Sequence, residues 1–278
     1  MFGKRQTPAK TAEQLVLMRR AGLLVGQTLE MLQGEVRDGC TTLQLDALAE
    51  DFIRSHGGIP NFQLVPGYAH TLCTSVNEEV VHGIPGGRVL HHGDLLSVDC
   101  GAEVEGWNGD AAVSLVVGGP EAARPEDQRL IAVTEAALWA GIAALAVGER
   151  LYAVGEAVEE SIEASSRSDR HDYGIIEEYV GHGIGRSMHE DPQIPNYAVR
   201  DRGPVVRAGF TGAIEPMVTW GQSETRVLAD DWTVVTTDGS RAAHWEHSVA
   251  VTDAGLTVLT AVDGGAARLG ARYAMVDA

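Results

Sequence analysis

The sequence predicts an α+β fold made of two similar halves, each with two helices followed by strands. Apolar residues recur at helical spacing in two separate regions, and short apolar runs bounded by Gly, Asn or Pro follow each region. The order helix–helix–strands therefore occurs twice, near residues 10–118 and again near 125–260. A repeat of this kind indicates a fold with approximate two-fold symmetry.

The chain has 278 residues, enough for one large domain or two small ones. No Gly-, Ser- or Pro-rich linker interrupts residues 11–262, so we expect a single domain there. A short basic tail over 1–10 and a loosely held tail over 263–278 are expected to flank this domain.

The first half begins with a predicted helix. Thr11 and Gln14 stand three residues apart, as in a capping box, and an apolar stripe then runs to Gly34. A second amphipathic helix is predicted from about Thr42 to Gly57. The strand-like runs that follow are TLCTSV, EVVHGI, LLSVDCG and AAVSLVV.

The second half repeats this order. One predicted helix carries Pro125 in its first turn, and the next spans about 151–165. The strand-like runs are TGAIEPMVTW, WTVVTT, WEHSVAV and LTVLT. The segments HHGDLLSVD and RAGFTGAIE align a glycine turn, an apolar strand and a carboxylate, so that Asp99 corresponds to Glu215. A two-fold fold would bring these carboxylates together.

Charge and composition argue against several classes of function. The formal charge of −18 disfavours binding to nucleic acid or to anionic membranes, and no apolar run reaches the ~20 residues of a membrane span. The chain starts without the apolar region of a secretory signal, and its three cysteines have no C-x-x-C spacing, so we expect a cytoplasmic protein. The basic first twenty residues fit either a docking segment for an anionic partner or a solvated terminus.

Carboxylates within apolar runs are the strongest indication of chemistry. Four of them stand in strand-like segments: Asp99, Asp110, Glu215 and Glu246. For each one alone, a salt bridge or a strand end is the simpler explanation. Cations are scarce, however, because the only two lysines of the chain lie within residues 1–10. Two carboxylates ~4 Å apart repel by roughly 4 kcal/mol at an effective dielectric near 20.

A metal centre explains such a cluster. Two divalent ions would neutralise four carboxylates, and His182, which lies between glycines in GHGIG, fits as a nitrogen ligand. Oxygen-rich ligation with one imidazole suits Co²⁺, Mn²⁺, Fe²⁺ or Zn²⁺. We therefore predict two divalent ions, one of them weakly bound.

Two further histidines, His82 in EEVVHGIP and His189 in RSMHEDP, are candidates for hydrogen-bonding roles. A hydrolytic metal site needs donors for the developing oxyanion and for the leaving nitrogen. A surface position is the alternative for each. The H-E-x-x-H, P-loop and G-x-S-x-G motifs are absent from the sequence.

The segments NEEVVHGIP, GHGIGRSMHEDP, AIEPMV and WEHSVAV, with an Asp99–Asp110 pair, together resemble the type I methionine aminopeptidases. The resemblance covers about residues 11–260. It implies the pita-bread fold, an α+β fold with pseudo-two-fold symmetry. Because only 25 residues separate His189 from Glu215, there is no room for the inserted helical subdomain of type II enzymes.

The resemblance implies a role for each residue of the metal site. The implied ligands are Asp99, Asp110, His182, Glu215 and Glu246. Asp110 and Glu246 would bridge the two ions, and Glu215 would also carry a proton to the leaving amine.

The resemblance also implies how substrate is held. His189 would contact the substrate carbonyl, and His82 would lie near the scissile amide nitrogen. A small apolar pocket would take the methionine side chain. The implied pocket residues are Phe62, Tyr68, Cys73, Met188 and Trp232.

The implied function is protein maturation: removal of the initiator methionine from nascent proteins and peptides whose second residue is small. The reaction would be hydrolysis at a dinuclear metal centre by a bridging hydroxide. The expected partners are nascent polypeptide N-termini, with the ribosome as a candidate, and the protein is expected to be a monomer. No nucleic-acid specificity and no membrane association are expected.

Two alternatives remain at the level of the sequence. A proline-specific aminopeptidase or dipeptidase of the same fold is one, although only ~10 residues precede the first helix here, where such enzymes carry an extra N-terminal domain. A relative that has lost catalysis and acts as a binding protein is the other. Loss of metal ligands would favour it, and all five implied positions are filled.

Overall fold

The computed structural model describes residues 6–276. Its helices are α1 (Ala12–Glu35), α2 (Thr42–Ser55), α3 (Pro125–Ala144), α4 (Ala153–Asp169) and α5 (Ala266–Leu269). Short 3-10 helices cover Phe62–Leu64, Pro120–Ala122 and Gly270–Arg272. In this part of the chain, no helix combines the length and hydropathy needed to cross a bilayer.

The strands are short except for two of ten residues. They are β1 (Ile59–Pro60), β2 (Leu72–Val76), β3 (Glu79–Val81), β4 (Leu95–Val104), β5 (Trp107–Val116), β6 (Gly174–Ile175), β7 (Gly181–Gly183), β8 (Glu190–Ile194), β9 (Phe210–Ile214), β10 (Met217–Thr219), β11 (Thr225–Val227), β12 (Val234–Thr236), β13 (Ala242–His244), β14 (His247–Thr252) and β15 (Gly255–Val258).

The α+β architecture and its duplication are confirmed. One sheet, in the first half, joins β1, β4 and β2, with β5 on β4; another, in the second half, has the order β15-β14-β9-β7-β8. Smaller sheets, β13-β10-β6 and β11-β12-β3, complete the structure. Each half has its own apolar core: Val25, Leu45 and Leu96 belong to the first, and Leu138 and Val249 to the second.

The helix starts follow the sequence signals. The Thr11 hydroxyl accepts from the N–H of Gln14, and the Gln14 side chain accepts from the N–H of Thr11, which makes the predicted capping box. Thr41 and Gln44 form a second capping box at α2, for which no cap was predicted. Pro125 is the first residue of α3, as expected.

The hairpin between β4 and β5 is longer than the apolar runs indicate. Val104 pairs with Trp107, so Glu105 and Gly106 form a two-residue turn in which both residues have positive φ, 52° and 78°. Turns of this kind match the twist of antiparallel strands. The pairing continues to the turn because Trp107 and Asn108 are buried and extend the inner face.

Two predicted strands of the second half are each interrupted at the carboxylate. TGAIEPMVTW forms β9 and β10, with Glu215 and Pro216 between them, because proline has no N–H for a sheet ladder. WEHSVAV and the residues before it form β13 and β14, with Glu246 in the gap. Since β9 pairs with β14 and β10 with β13, the two gaps lie opposite each other.

Both flanking segments make ordered contacts where the structure describes them. The Thr7 N–H donates to Val205 O, and Leu269 is buried in the second core. The Arg19 guanidinium donates to the carbonyl oxygens of Leu259, Ala261 and Val262, which immediately precede the predicted C-terminal tail. Periodicity alone does not reveal these contacts. Residues 1–5 and 277–278 of those predicted tails lie outside the described part of the chain.

Candidate metal centre and active site

Two of the four carboxylates project from the β4–β5 hairpin. Asp99 pairs with Ala112, and Gly101 pairs with Asp110. Residues two apart on a strand face the same side, so the side chains of Asp99 and Asp110 lie on one face as diagonal neighbours. The eleven-residue separation of the two aspartates is thus a consequence of the hairpin register.

The other two carboxylates lie in the opposed gaps of the second half. Ile214 pairs with His247, so the next position on each strand brings Glu215 opposite Glu246. The main chain of Glu246 turns away to the first half, where it donates to Ala112 O at 2.9 Å and accepts from Ala112 N at 3.3 Å. This exchange of hydrogen bonds brings Glu246 beside the hairpin that carries the aspartates.

His182 enters the cluster from β7, which pairs with β9 so that His182 lies opposite Ala213. The glycines on either side are required by close packing. A Cβ atom at Gly181 would lie 2.4 Å from Ala213 O, and one at Gly183 would lie 2.5 Å from Asp191 O. The glycines of GHGIG thus allow a close backbone approach that larger residues would block.

The cluster is buried, and several of its oxygens have no partner. Asp99, Asp110 and Glu246 are 9%, 4% and 2% exposed, and one carboxylate oxygen of each is buried without a hydrogen bond among residues 6–276. Within the same residues, no arginine or lysine nitrogen lies within 4 Å of any of the four carboxylates. Buried oxygens without protein partners are suited to coordinating a metal ion.

Burial and mutual repulsion disfavour the charged forms. Burial raises the pKa of Asp99 to about 7. Burial, followed by repulsion from neighbouring carboxylates, raises the pKa values of Asp110, Glu215 and Glu246 well above their usual range. Without cations this arrangement would be unstable in its ionised form, which is the situation that a bound metal relieves.

The imidazole of His182 is neutral and can offer the lone pair of one ring nitrogen to a metal ion. Its Nδ1 atom lies 3.0 Å from Gly183 O, and because a carbonyl only accepts, Nδ1 carries the proton and Nε2 has the lone pair. Burial, and then the proximity of His189, lowers the pKa of His182 to about 4. The 3.5 Å contact between Nε2 and Glu215 Oε1 is therefore not an ion pair.

These residues fit divalent metal ions. Donor atoms of Asp110, His182 and Glu246 all lie within 4.8 Å of one another. The set offers carboxylate oxygens and one imidazole nitrogen, the donor chemistry of Mn²⁺, Fe²⁺, Co²⁺ or Zn²⁺.

One cavity of about 570 Å³ contains every residue predicted for the site. Its walls include Phe62, Tyr68, Cys73, His82, Asp99, Asp110, His182, Met188, His189, Glu215, Trp232 and Glu246. The apolar part is compact: Phe62, Tyr68 and Cys73 are buried together, with Met188 and Trp232 packed against them.

The two additional histidines both line the cavity. His189 is more exposed than His182, and the two ring centroids are 4.4 Å apart. His82 follows β3 with a φ of 60°, an uncommon conformation for a residue with a side chain. Its ring packs edge-on against Tyr179, 5.4 Å away, and Trp232, 6.4 Å away.

Other cavity residues were not predicted from the sequence: Val81, Tyr179, Val180, Glu190, Asp191 and Gln193. Gln193 on β8 pairs with His182 on β7, so the side chain of Gln193 lies on the same face as the imidazole of His182. Only the strand register reveals this. Tyr179 stands two residues before Gly181, and an aromatic residue next to the histidine motif is a signal that was available.

Comparison with known protein families places the chain in a family of metallopeptidases. The model of metallopeptidase family M24 matches residues 16–253. The chain belongs to metallopeptidase family M24. The matched region includes all the predicted site residues.

Relatives of known class are similar over nearly their whole length. Methionine aminopeptidase 1 of Mycobacterium tuberculosis is 47% identical over 259 residues, which cover 93% of this chain and 96% of the relative. Methionine aminopeptidase 1 of Bacillus subtilis is 43% identical over 253 residues, covering 91% and 98%. These similarities confirm the predicted resemblance to type I methionine aminopeptidases and the predicted enzyme class, a metal-dependent aminopeptidase.

Solved structures confirm the pita-bread fold. The crystal structure of methionine aminopeptidase from Thermotoga maritima superposes with a TM-score of 0.86 at 39% identity, covering 92% of this chain and 99% of that one. The prolidase from Pyrococcus furiosus superposes with a TM-score of 0.67 at 20% identity, covering 91% of this chain and 65% of that one. The second similarity concerns the fold alone.

Proposed function

We propose that this protein removes the N-terminal methionine from polypeptides whose second residue is small. The observation that carries the proposal is the junction of a buried carboxylate–imidazole cluster with a compact apolar pocket in one cavity. The 47% identity to methionine aminopeptidase 1 of Mycobacterium tuberculosis supports the same activity.

Five residues are proposed to hold two divalent ions: Asp99, Asp110, His182, Glu215 and Glu246. The unpartnered carboxylate oxygens and the open Nε2 of His182 support this assignment. When bound, such ions supply an acidified water for attack and positive charge for the carbonyl oxygen. Co²⁺, Mn²⁺, Fe²⁺ and Zn²⁺ suit the donor set, and we propose that one of the two ions binds more weakly.

The apolar pocket selects the methionine side chain. Phe62, Tyr68 and Cys73 form its buried floor, and Met188 and Trp232 pack on it. Burying a methionine side chain stabilises a complex by about 1.5–3 kcal/mol. A thioether also makes favourable contacts with aromatic rings. A pocket of this composition excludes charged side chains, because it offers them no partner.

Three residues act on the scissile peptide. His189, beside His182, donates to the carbonyl oxygen as negative charge develops there. His82, whose ring lies 6.4 Å from that of Trp232, stands at the amide nitrogen. Glu215 takes a proton and passes it to the leaving amine, since its carboxylate lies in the same cavity as His82 and His189.

The wider setting follows from this activity. Nascent polypeptides at the ribosome, in the cytoplasm, are the proposed source of substrate, and the protein is proposed to act as a monomer. We propose that residues 11–262 form one catalytic domain, which contains every residue of the cavity named above.

Release of methionine from a Met-Ala-Ser peptide tests the proposal. Activity should be lost on thorough chelation and return with Mn²⁺ or Co²⁺. Asp110→Ala and His182→Ala should abolish it, whereas Glu103→Ala, on the same hairpin but outside the cavity, should not. Cleavage of Xaa-Pro peptides in preference to Met-Ala-Ser, or full activity after chelation, would overturn the proposal.

A further inference from the structure

Lys10 and Glu190 form an ion pair that joins the start of the described chain to the histidine motif. The Nζ atom of Lys10 lies 2.6 Å from Oε2 of Glu190, and the side chains are only 10% and 24% exposed. Lys10 is the only lysine among residues 6–276. Its partner directly follows His189 in the sequence.

The second oxygen of Glu190 closes the turn that precedes it. Oε1 accepts from the N–H of Arg186 at 2.8 Å and from that of Ser187 at 3.3 Å. The ion pair crosses directly over Gly185, where a Cβ atom would lie 2.5 Å from Oε1 and 2.7 Å from Cε of Lys10. The glycine thus makes room for the pair.

Lys10 is itself fixed by its main chain. Its N–H donates to Gly209 O at 2.7 Å, and the next residue, Thr11, caps α1. Gly209 has a φ of 89°, and a Cβ atom there would lie 2.3 Å from Lys10 O. Lys10 therefore extends from an anchored segment, not from a free terminus.

The pair is less exposed than the surface ion pairs of this protein. Burial raises the pKa of Glu190, but the hydrogen bond and charge of Lys10, together with the N–H groups of Ser187 and Arg186, hold that pKa below its usual value. Removing one member of a buried pair leaves the other charge without a partner, which costs far more than loss of an exposed pair. Arg167 and Glu163, 65% and 57% exposed, form such an exposed pair on α4.

We propose that Lys10 is a positioning residue of the active site, which acts through Glu190 to hold the turn that places His189 beside His182. The inference rests on the proposed role of His189 as donor to the substrate carbonyl. The ammonium group touches neither substrate nor metal ligands in this arrangement. Its effect is to keep the imidazole at the 4.4 Å ring distance observed from His182.

A double-mutant cycle tests this role in the full chain loaded with Mn²⁺. His189→Ala is expected to lower kcat for Met-Ala-Ser by about 10²-fold or more, as for loss of an oxyanion donor. Lys10→Met is expected to lower kcat by about tenfold with little change in KM, because binding of the methionine side chain is unaffected. In the double variant, Lys10→Met should have no further effect, since the group that it positions is gone.

Several outcomes separate the possible failures. If Lys10→Met lowers kcat equally in the presence and absence of His189, its role is structural and the inference is overturned. If His189→Ala has no effect on kcat, the proposed role of His189 itself fails. Unchanged kcat in Lys10→Met would also refute the inference.

Two further variants distinguish loss of the ion pair from general unfolding of the protein. Glu190→Gln keeps acceptors for Arg186 and Ser187 but loses the charge, and should lower kcat in the same way as Lys10→Met. Arg167→Met, which breaks the exposed ion pair on α4 outside the cavity, should leave kcat unchanged. Bound Mn²⁺, measured by elemental analysis, should be equal in all variants, because the metal ligands are untouched.

Discussion

The hydroxyl of Ser248 makes two hydrogen bonds with the main chain of Asp110. It accepts from the Asp110 N–H at 3.0 Å and donates to the Asp110 carbonyl oxygen at 2.8 Å. Ser248 lies on β14 in the second half and is fully buried, whereas Asp110 lies on β5 in the first half. A side chain of one half thus fixes the backbone that carries a proposed metal ligand of the other.

Replacing this hydroxyl should weaken metal binding. Ser248→Ala leaves the N–H and C=O of Asp110 without their partner, which costs about 1–3 kcal/mol for each buried group. We expect the affinity for Mn²⁺, measured by titration calorimetry, to fall by about 10–100-fold, as when other supporting partners of metal ligands are lost.

A buried hydroxyl elsewhere provides the control. Thr134→Ala removes a hydrogen bond to Leu130 O within α3. It should lower the free energy of unfolding but leave the Mn²⁺ affinity unchanged. Equal Mn²⁺ affinities for Ser248→Ala and the unmodified protein would contradict the argument.

A second relationship sets the position of α1. A Cβ atom at Gly109 would lie 2.7 Å from the N and Cα atoms of Gly22, so the helix packs directly on β5 next to Asp110. Gly109→Ala should lower the free energy of unfolding by about 1–3 kcal/mol, the usual cost of overpacking. At Gly34, near the end of α1, a Cβ atom would have no neighbour within 4 Å. Gly34→Ala should therefore raise the free energy of unfolding by about 0.5–1 kcal/mol. Urea unfolding measures both, and a stabilising Gly109→Ala would refute the packing argument.

The sequence predicts the class of fold well and singles out residues that the structure brings into one cavity, because both leave local signals. Carboxylates in apolar runs are unusual enough to stand out, and the histidine motif with its glycines is specific. The alignment of Asp99 with Glu215 also has a structural counterpart, since Gly93 and Gly209, which precede them equally, have φ values of 88° and 89°.

The interruption of the strands could not be predicted in the same way. Pro216 is a local signal for the break after Glu215, but no such residue marks the break at Glu246, and nothing local shows that each carboxylate lies between strands of different sheets. Where a strand leaves one sheet for another depends on long-range pairing, such as that of Glu246 with Ala112. The partners of Lys10 and Ser248 are non-local for the same reason, at separations of 180 and 138 residues.

The aromatic wall of the methionine pocket should contribute mainly to substrate binding. Trp232 packs edge-on against Tyr68 at a ring distance of 4.9 Å. Trp232→Ala removes apolar contact with the methionine side chain both before and during reaction, so KM for Met-Ala-Ser should rise by about tenfold with kcat little changed. Trp139→Ala, outside the cavity, should leave KM unchanged. An unaltered KM in Trp232→Ala would show that Trp232 does not contact the methionine side chain of the substrate.

His82 should remain neutral well below the pH at which an exposed histidine gains a proton. Burial, with a smaller contribution from repulsion by His189, lowers its pKa from 6.5 to about 4. Between pH 4 and 6.5 the unfolded chain therefore binds a proton that the folded protein does not. Stability from this group is fully present above pH 6.5 and is lost as the pH falls towards 4, with a slope of at most about 1.4 kcal/mol per pH unit.

Comparison with His82→Asn isolates this contribution from those of other buried histidines. Asparagine tolerates the positive φ at this position, so the variant removes the imidazole without adding backbone strain. In urea unfolding between pH 4.5 and 7.5, the unfolding free energy of the unmodified protein should fall more steeply with decreasing pH than that of His82→Asn. NMR should place the midpoint of the imidazole titration near 4. A midpoint near 6.5 together with parallel stability curves would mean that His82 is solvated and not held against Tyr179 and Trp232.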